Sequence, residues 1–218
     1  MTVVKAPRRP VGPDPPPDGR LSTVTLRFGQ RLRDAIQFGP RAVDDLIRSF
    51  DPSLADHHRR VAQLAVTIGR EMGLSRSSVT GIELASSIHD IGVIGAVEDL
   101  DGIRATGGPG HPSAGTSIVE GVRFPWPIET MILQHHEHLD GSGYPGGLRR
   151  DKILFASRVI TVADTVVTTS EAGTPSSAVV DHLRSGRGSR FDLEVVDACL
   201  AVLARPLVRD GVVEPLVS

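Results

Sequence analysis

Cysteine is nearly absent: 218 residues hold one, Cys199. A lone thiol closes no intramolecular disulfide, which excludes a disulfide-stapled scaffold and fits a cytoplasmic setting. In Val195-Val196-Asp197-Ala198-Cys199-Leu200, a small buried apolar residue accounts for it. Long apolar runs are missing too. None reaches the roughly 20 residues of a bilayer-spanning helix, and the stretch from Met1 to Pro10 lacks a secretory apolar core. The expected location is therefore the cytoplasm, with no membrane partner. Neither charge is in large excess, since 24 Lys and Arg face 26 Asp and Glu for a formal net charge of -2 and a pI near 6.4. Without a broad basic field, binding to a nucleic-acid polymer is not expected, and any phosphate chemistry must be local. Period-2 alternation is confined to Val24, Leu26 and Phe28, enough for one short strand but not for a sheet. There is no internal repeat.

What is present supports one domain with a substantial core, since 39% of the chain is hydrophobic. Residues 1–20 carry Pro7, Pro10, Pro13 and the run Pro15-Pro16-Pro17, a composition for an extended tail. Residues 21–218 are read as the single domain. Beyond Phe28 the apolar residues recur at three- and four-residue steps. Short amphipathic helices are broken at Gly39-Pro40, and another runs from about Leu54 to Met72 with Gly73 as its stop. On that helix His57 shares the face of Val61, while His58 points about 100° away and is expected to be solvated. Ser75 or Ser77 caps the next helix, which ends at Asp90-Ile91-Gly92. A Gly-rich, aperiodic loop from Gly92 to Pro112 is expected to cover the site. Helices follow at about 112–122, 126–137, 152–169, 175–185 and 192–204, so the fold class is all-α.

The densest group of metal-ligating side chains is His135-His136-Glu137-His138-Leu139-Asp140, running into Gly141-Ser142-Gly143-Tyr144-Pro145. A histidine at a helix end is ordinarily a polar terminus near the C-terminal dipole. A pair of them is a different matter in a chain that also carries His57, His89-Asp90, His111 and Asp164 in separate segments. Imidazole and carboxylate together are the donor set of first-row transition metals, and an all-α fold gathers such donors by pointing them inward from several helices. Seven donors exceed what one ion with open positions needs, and they suit two ions sharing Asp90. Two ions about 3.5 to 4 Å apart hold a bridging hydroxide and stabilise phosphoryl oxygens during in-line attack. In the loop, Gly141 and Gly143 permit positive φ and Pro145 fixes the exit. Glu137 and His138 are read as supporting or surface groups.

At these residues the chain resembles the HD phosphohydrolases, in His57, His89-Asp90-Ile91-Gly92, and Asp164 within Val162-Ala163-Asp164. His111-Pro112 with Gly115, and the string His135 to Pro145, resemble the HD-GYP subgroup. The resemblance covers about residues 45–205. It implies an HD-type helical bundle with a two- or three-metal centre, usually iron or manganese, that hydrolyses cyclic di-GMP to pGpG or GMP. By residue it implies metal ligation by His57, His89, Asp90, His111, His135, His136 and Asp164, with Asp90 catalytic, and a signature loop at Asp140, Gly143, Tyr144 and Pro145 that meets the substrate. The chain also departs from the pattern. Val93 stands where the family carries Lys, Val167 replaces a second Asp, and Ser170-Glu171-Ala172-Gly173-Thr174-Pro175 replaces an Arg-Pro-Tyr segment. Ser53 stands where some members place a third-metal Glu, so two divalent ions are expected. The loop before His111 is short, and Arg158 or Lys152 is available as a substitute phosphate contact. Two other functions compete. One is a catalytically weak cyclic-dinucleotide sensor or docking module for diguanylate cyclase domains, favoured by Val93 and the replaced segment. The other is an HD hydrolase of another phosphoester. The full donor set favours the cyclic di-GMP phosphodiesterase.

Overall fold

Proline, glycine and short polar side chains set the helix boundaries. The computed structural model describes residues 23–96, 109–205, 207–209 and 212–214. The proline-rich segment, and the middle of the Gly-rich stretch expected over the site, lie outside the described residues. The first helix, α1 (Thr23–Phe38), stops before Gly39, and α2 (Pro40–Phe50) starts with proline in its first turn. In α3 (Pro52–Glu71), Pro52 follows the N-cap Asp51, whose carboxylate accepts from the backbone N–H groups of Ser53 at 2.9 Å and Leu54 at 3.1 Å. The next cap is Ser75, which accepts from Ser78 N–H at 3.1 Å and opens α4 (Arg76–Ser86).

The chain continues through α5 (Gly92–Ala96), α6 (His111–Val119), α7 (Ile128–Gln134), α8 (Phe155–Glu171), α9 (Ser176–Gly186) and α10 (Leu193–Leu203). A short antiparallel hairpin closes the described part, β1 (Leu207–Arg209) against β2 (Val212–Glu214), with Val208 opposite Val213. Three residues per strand are too few to raise a period-2 signal, which is why the alternation gave no hint of it.

Val24, Leu26 and Phe28 lie on α1, not on a strand. A lone strand leaves its backbone groups unpaired, whereas a helix satisfies them locally. Buried Phe28, Leu32 and Ala35 recur at helical spacing on the face that α1 turns inward.

Helix α8 lies at the centre, packed by α3, α4, α7, α9 and α10. Its Val159, Ile160, Val162, Ala163 and Val166 are all sealed from solvent, so nearly every face of this helix is inside. Burying each such side chain contributes about 1.5 to 3 kcal/mol, and this fixes the register of any polar residue the helix carries inward. Asp164 is that residue. The architecture is the all-α bundle expected, and no helix among the described residues is long and apolar enough to cross a membrane.

Candidate metal centre

Helix α4 ends at Ser86, earlier than its apolar pattern suggests, and a turn from Ser87 to Ile91 carries His89 and Asp90. Ile88 and Ile91, both fully buried, pin the turn. Gly92 then lets α5 lie against α6: a Cβ at this position would meet the His111 carbonyl oxygen at 2.0 Å and Gly115 N at 2.5 Å. That backbone approach brings His111, the first residue of α6, to Asp90. His135 and His136 follow α7, His57 comes from α3, and Asp164 comes from α8.

Asp90 is the centre of the cluster. Its Oδ1 lies 2.9 Å from His111 Nε2 and 3.1 Å from His135 Nε2, while its Oδ2 lies 3.5 Å from His89 Nε2 and 3.7 Å from His57 Nε2. Donor atoms of Asp90, His111, His135 and His136 lie within 4.8 Å of one another, as do those of His57, His89 and Asp90. Asp164 Oδ1 joins the second group, 3.3 Å from His57 Nε2 and 3.8 Å from His89 Nε2. The structure thus brings all seven expected ligands together as two groups that share one carboxylate.

The outward nitrogens are committed elsewhere. His89 Nδ1 donates to the Ser86 carbonyl at 2.8 Å and His135 Nδ1 to the Ile132 carbonyl at 2.5 Å. A carbonyl only accepts, so each Nδ1 carries a proton and each Nε2 is the nitrogen turned toward the cluster. The Nε2 atoms of His111 and His135 approach to 3.2 Å and those of His57 and His89 to 3.3 Å. Imidazole nitrogens converging at that distance beside carboxylates are a donor set that fits a divalent cation.

Protonation follows from the same arrangement. Burial opposes the charge on Asp90 and Asp164, but the neighbouring imidazoles outweigh it and hold both carboxyls well below their usual range. Burial also opposes charge on His89, yet Asp90 and Asp164 hold its pKa up at about 9. His136 is pushed down to about 2 by burial and by neighbouring His135, and His135 is lowered by burial. The cluster therefore offers ionised carboxylates and, at His135 and His136, neutral imidazoles, while the carboxylates favour a charged ring at His57 and His89.

The signature loop packs on these ligands. Tyr144 stacks on His136 with ring centroids 4.7 Å apart. Gly141 has the positive φ expected, +76°, but Gly143 does not. Gly143 is needed for close approach, since a Cβ there would meet the His136 carbonyl oxygen at 2.3 Å. Pro145 is exposed beside Tyr144. Asp140, also exposed, accepts from Ser142 N–H at 2.9 Å and braces the turn.

Several side chains sit differently from the sequence reading. His58 is not solvated but 2% exposed, because α2, α4 and the turn after α4 cover the second face of α3. Its Nε2 accepts from the backbone N–H of Asp90 at 3.3 Å, so it holds the central residue of the cluster in place. Arg158 is not directed to a phosphate. Its guanidinium donates to the Ile153 and Arg150 carbonyls and pairs with Asp192 at 3.0 Å, fastening the start of α8 to the N-cap of α10. Val93, in the position of the family lysine, is 9% exposed. Glu137 is buried, and its carboxylate accepts from Gly146 N–H at 2.6 Å and Leu148 N–H at 2.8 Å. Its place inside the His135–Pro145 string was the available signal. A cavity lies between α2, α3 and α4. It is lined by His58 but by none of the seven ligands.

Comparison with known proteins agrees with this geometry. The family model described as HD domain matches residues 41–195, more than half of the chain. A cyclic di-GMP phosphodiesterase response regulator of Xanthomonas campestris is 33% identical over 161 residues, 65% of this chain and 41% of that protein. A 3'3'-cGAMP-specific phosphodiesterase of Vibrio cholerae is 31% identical over 130 residues, 56% of this chain and 28% of that protein. The chain thus spans less than half the length of these curated relatives. Among solved structures, an HDG"Y"P protein from Bdellovibrio bacteriovorus superposes with a TM-score of 0.62 at 15% identity, covering 83% of this chain and 69% of that one, a likeness of fold. The chain belongs to the HD-domain family, and its string from His135 to Pro145 is where it resembles the HD-GYP subgroup.

Proposed function

We propose that this chain is a metal-dependent phosphodiesterase that opens a cyclic dinucleotide, with cyclic di-GMP as the substrate. The observation that carries the proposal is Asp90, whose two oxygens each face a separate pair of imidazole Nε2 atoms. In this reading His111, His135 and His136 hold one divalent ion and His57, His89 and Asp164 hold a second, iron or manganese, with Asp90 shared. Such a pair supplies Lewis acidity toward phosphoryl oxygens and acidifies water at the site.

The chain's own residues do the rest. Asp90 stays ionised and orients the attacking water, and His135 and His136 stay neutral as donors. Tyr144, stacked on His136 at the edge of the cluster, offers an aromatic face and a hydroxyl to the bound dinucleotide. Water adds its oxygen to phosphorus and a hydrogen to the departing sugar oxygen, giving linear pGpG. A second hydrolysis gives GMP. The names of the relatives support the substrate class, since they specify cyclic di-GMP and 3'3'-cGAMP.

The test is turnover of cyclic di-GMP and 3'3'-cGAMP by protein reconstituted anaerobically with iron or manganese. Hydrolysis of cyclic di-GMP that is lost in Asp90→Asn is the expected result. Full metal loading without turnover, with cyclic di-GMP still bound, would replace the enzyme by a sensor or a docking module for diguanylate cyclase domains, the reading that buried Val93 favours.

A further inference from the structure

His57 is oriented differently from His89 and His135. His89 and His135 turn Nδ1 to buried backbone carbonyls, whereas His57 Nδ1 meets a side chain, Glu171 Oε2, at 3.1 Å. The second oxygen of Glu171 accepts two hydrogen bonds from Arg60, Nε at 2.9 Å and Nη2 at 2.7 Å. Glu171 is the last residue of α8 and stands seven positions beyond Asp164, two turns along the same helix face. One helix therefore presents a carboxylate to each nitrogen of the His57 ring: Asp164 Oδ1 to Nε2 at 3.3 Å and Glu171 to Nδ1.

We infer that Glu171, itself held by Arg60, is a positioning residue for metal binding through His57. The inference rests on the reading of His57 as a ligand and adds what makes it one. By accepting the Nδ1 proton, Glu171 fixes the tautomer that leaves the Nε2 lone pair free. Its negative charge makes that lone pair a stronger donor. Among the described residues the partners of the His57 ring are side chains, not backbone carbonyls, and the ring sits at the edge of the cluster with 12% of its side chain exposed. Arg60 fixes the rotamer of a glutamate that is itself about one-third exposed. An exposed Arg–Glu pair of this kind contributes little to stability by itself. Its value lies in where it holds the second oxygen. Glu171 also falls in the segment that departs from the family pattern, where spacing alone gave it no role.

The experiment is a set of Mn²⁺ binding isotherms on the full chain for the wild type, Glu171→Ala, Glu171→Gln, His57→Ala and the double variant, with thermal midpoints of the metal-free proteins. Carboxylates that orient metal-bound histidines typically contribute about 10- to 100-fold in affinity, so Glu171→Ala is expected to weaken one of the two Mn²⁺ sites by that factor. Glu171→Gln, which keeps an acceptor oxygen but no charge, should fall between it and the wild type. The metal-free midpoints should not move. Because Glu171 acts through His57, adding Glu171→Ala to His57→Ala should weaken binding no further, a coupling that a surface ion pair does not produce. Unchanged affinity in Glu171→Ala, or an equal loss in the His57→Ala background, overturns the inference. His57→Ala binding Mn²⁺ like the wild type overturns the assignment of His57 itself, which is a separate result.

Discussion

Glu137 shows how one buried carboxylate decides the shape of a functional loop. It accepts from the backbone N–H groups of Gly146 and Leu148, two donors on the far side of Tyr144 and Pro145. It follows directly on His135 and His136, so the loop and the ligands are tied through a single residue. A charge-assisted hydrogen bond is worth about 1.5 to 3 kcal/mol, and Glu137→Gln turns an NH₂ toward one of those donors. The expected outcome is a destabilisation of about 1.5 to 3 kcal/mol in denaturant titration, with the KM for cyclic dinucleotide raised more than metal content is lowered. A variant with unchanged KM would mean that the loop does not meet the substrate. His58 works at the same scale. The periodicity of α3 gives its direction correctly, about 100° from His57, but not that other elements cover that direction as well.

Among the elements, the junction of α5 and α6 is the tightest. With the His111 carbonyl 2.0 Å from an added Cβ, and Gly115 N at 2.5 Å, Gly92→Ala has no flexible side chain to push aside, only backbone. The helices would have to part, carrying His111 away from Asp90. We expect Gly92→Ala to cost several kcal/mol, of the order of an overpacked core at about 1 to 3 kcal/mol or more, and to lower metal content in the same sample. A thermal midpoint equal to that of the wild type would contradict the packing described. The helices themselves were largely legible in the sequence, because Pro40, Pro52, Asp51 and Ser75 are local signals that act where they stand. Less legible was what depends on a partner. The α1 segment carries an alternation that reads as a strand until Phe28, Leu32 and Ala35 are seen to share a buried face. The hairpin of β1 and β2 is too short for a pattern. Arg158 looked like a free cation because Asp192, its partner, is 34 residues away.

At the scale of the whole molecule, the seven donors come from α3, the turn after α4, α6, the residues after α7, and α8, and converge only because α8 is buried on nearly every side. The sequence made the donors and the sharing of Asp90 legible, but which donors fall on which side of Asp90 required the fold. Glu171 is the counterexample: it lies 114 residues from His57 and belongs to no motif. If Asp90 is shared between two metal positions, elemental analysis after anaerobic reconstitution with iron or manganese should find about two ions per chain, as befits a carboxylate with imidazoles facing both oxygens, and a fall toward zero in Asp90→Ala that exceeds the loss in either His57→Ala or His136→Ala. A wild-type content near zero, or an Asp90→Ala protein that keeps both ions, would contradict that sharing.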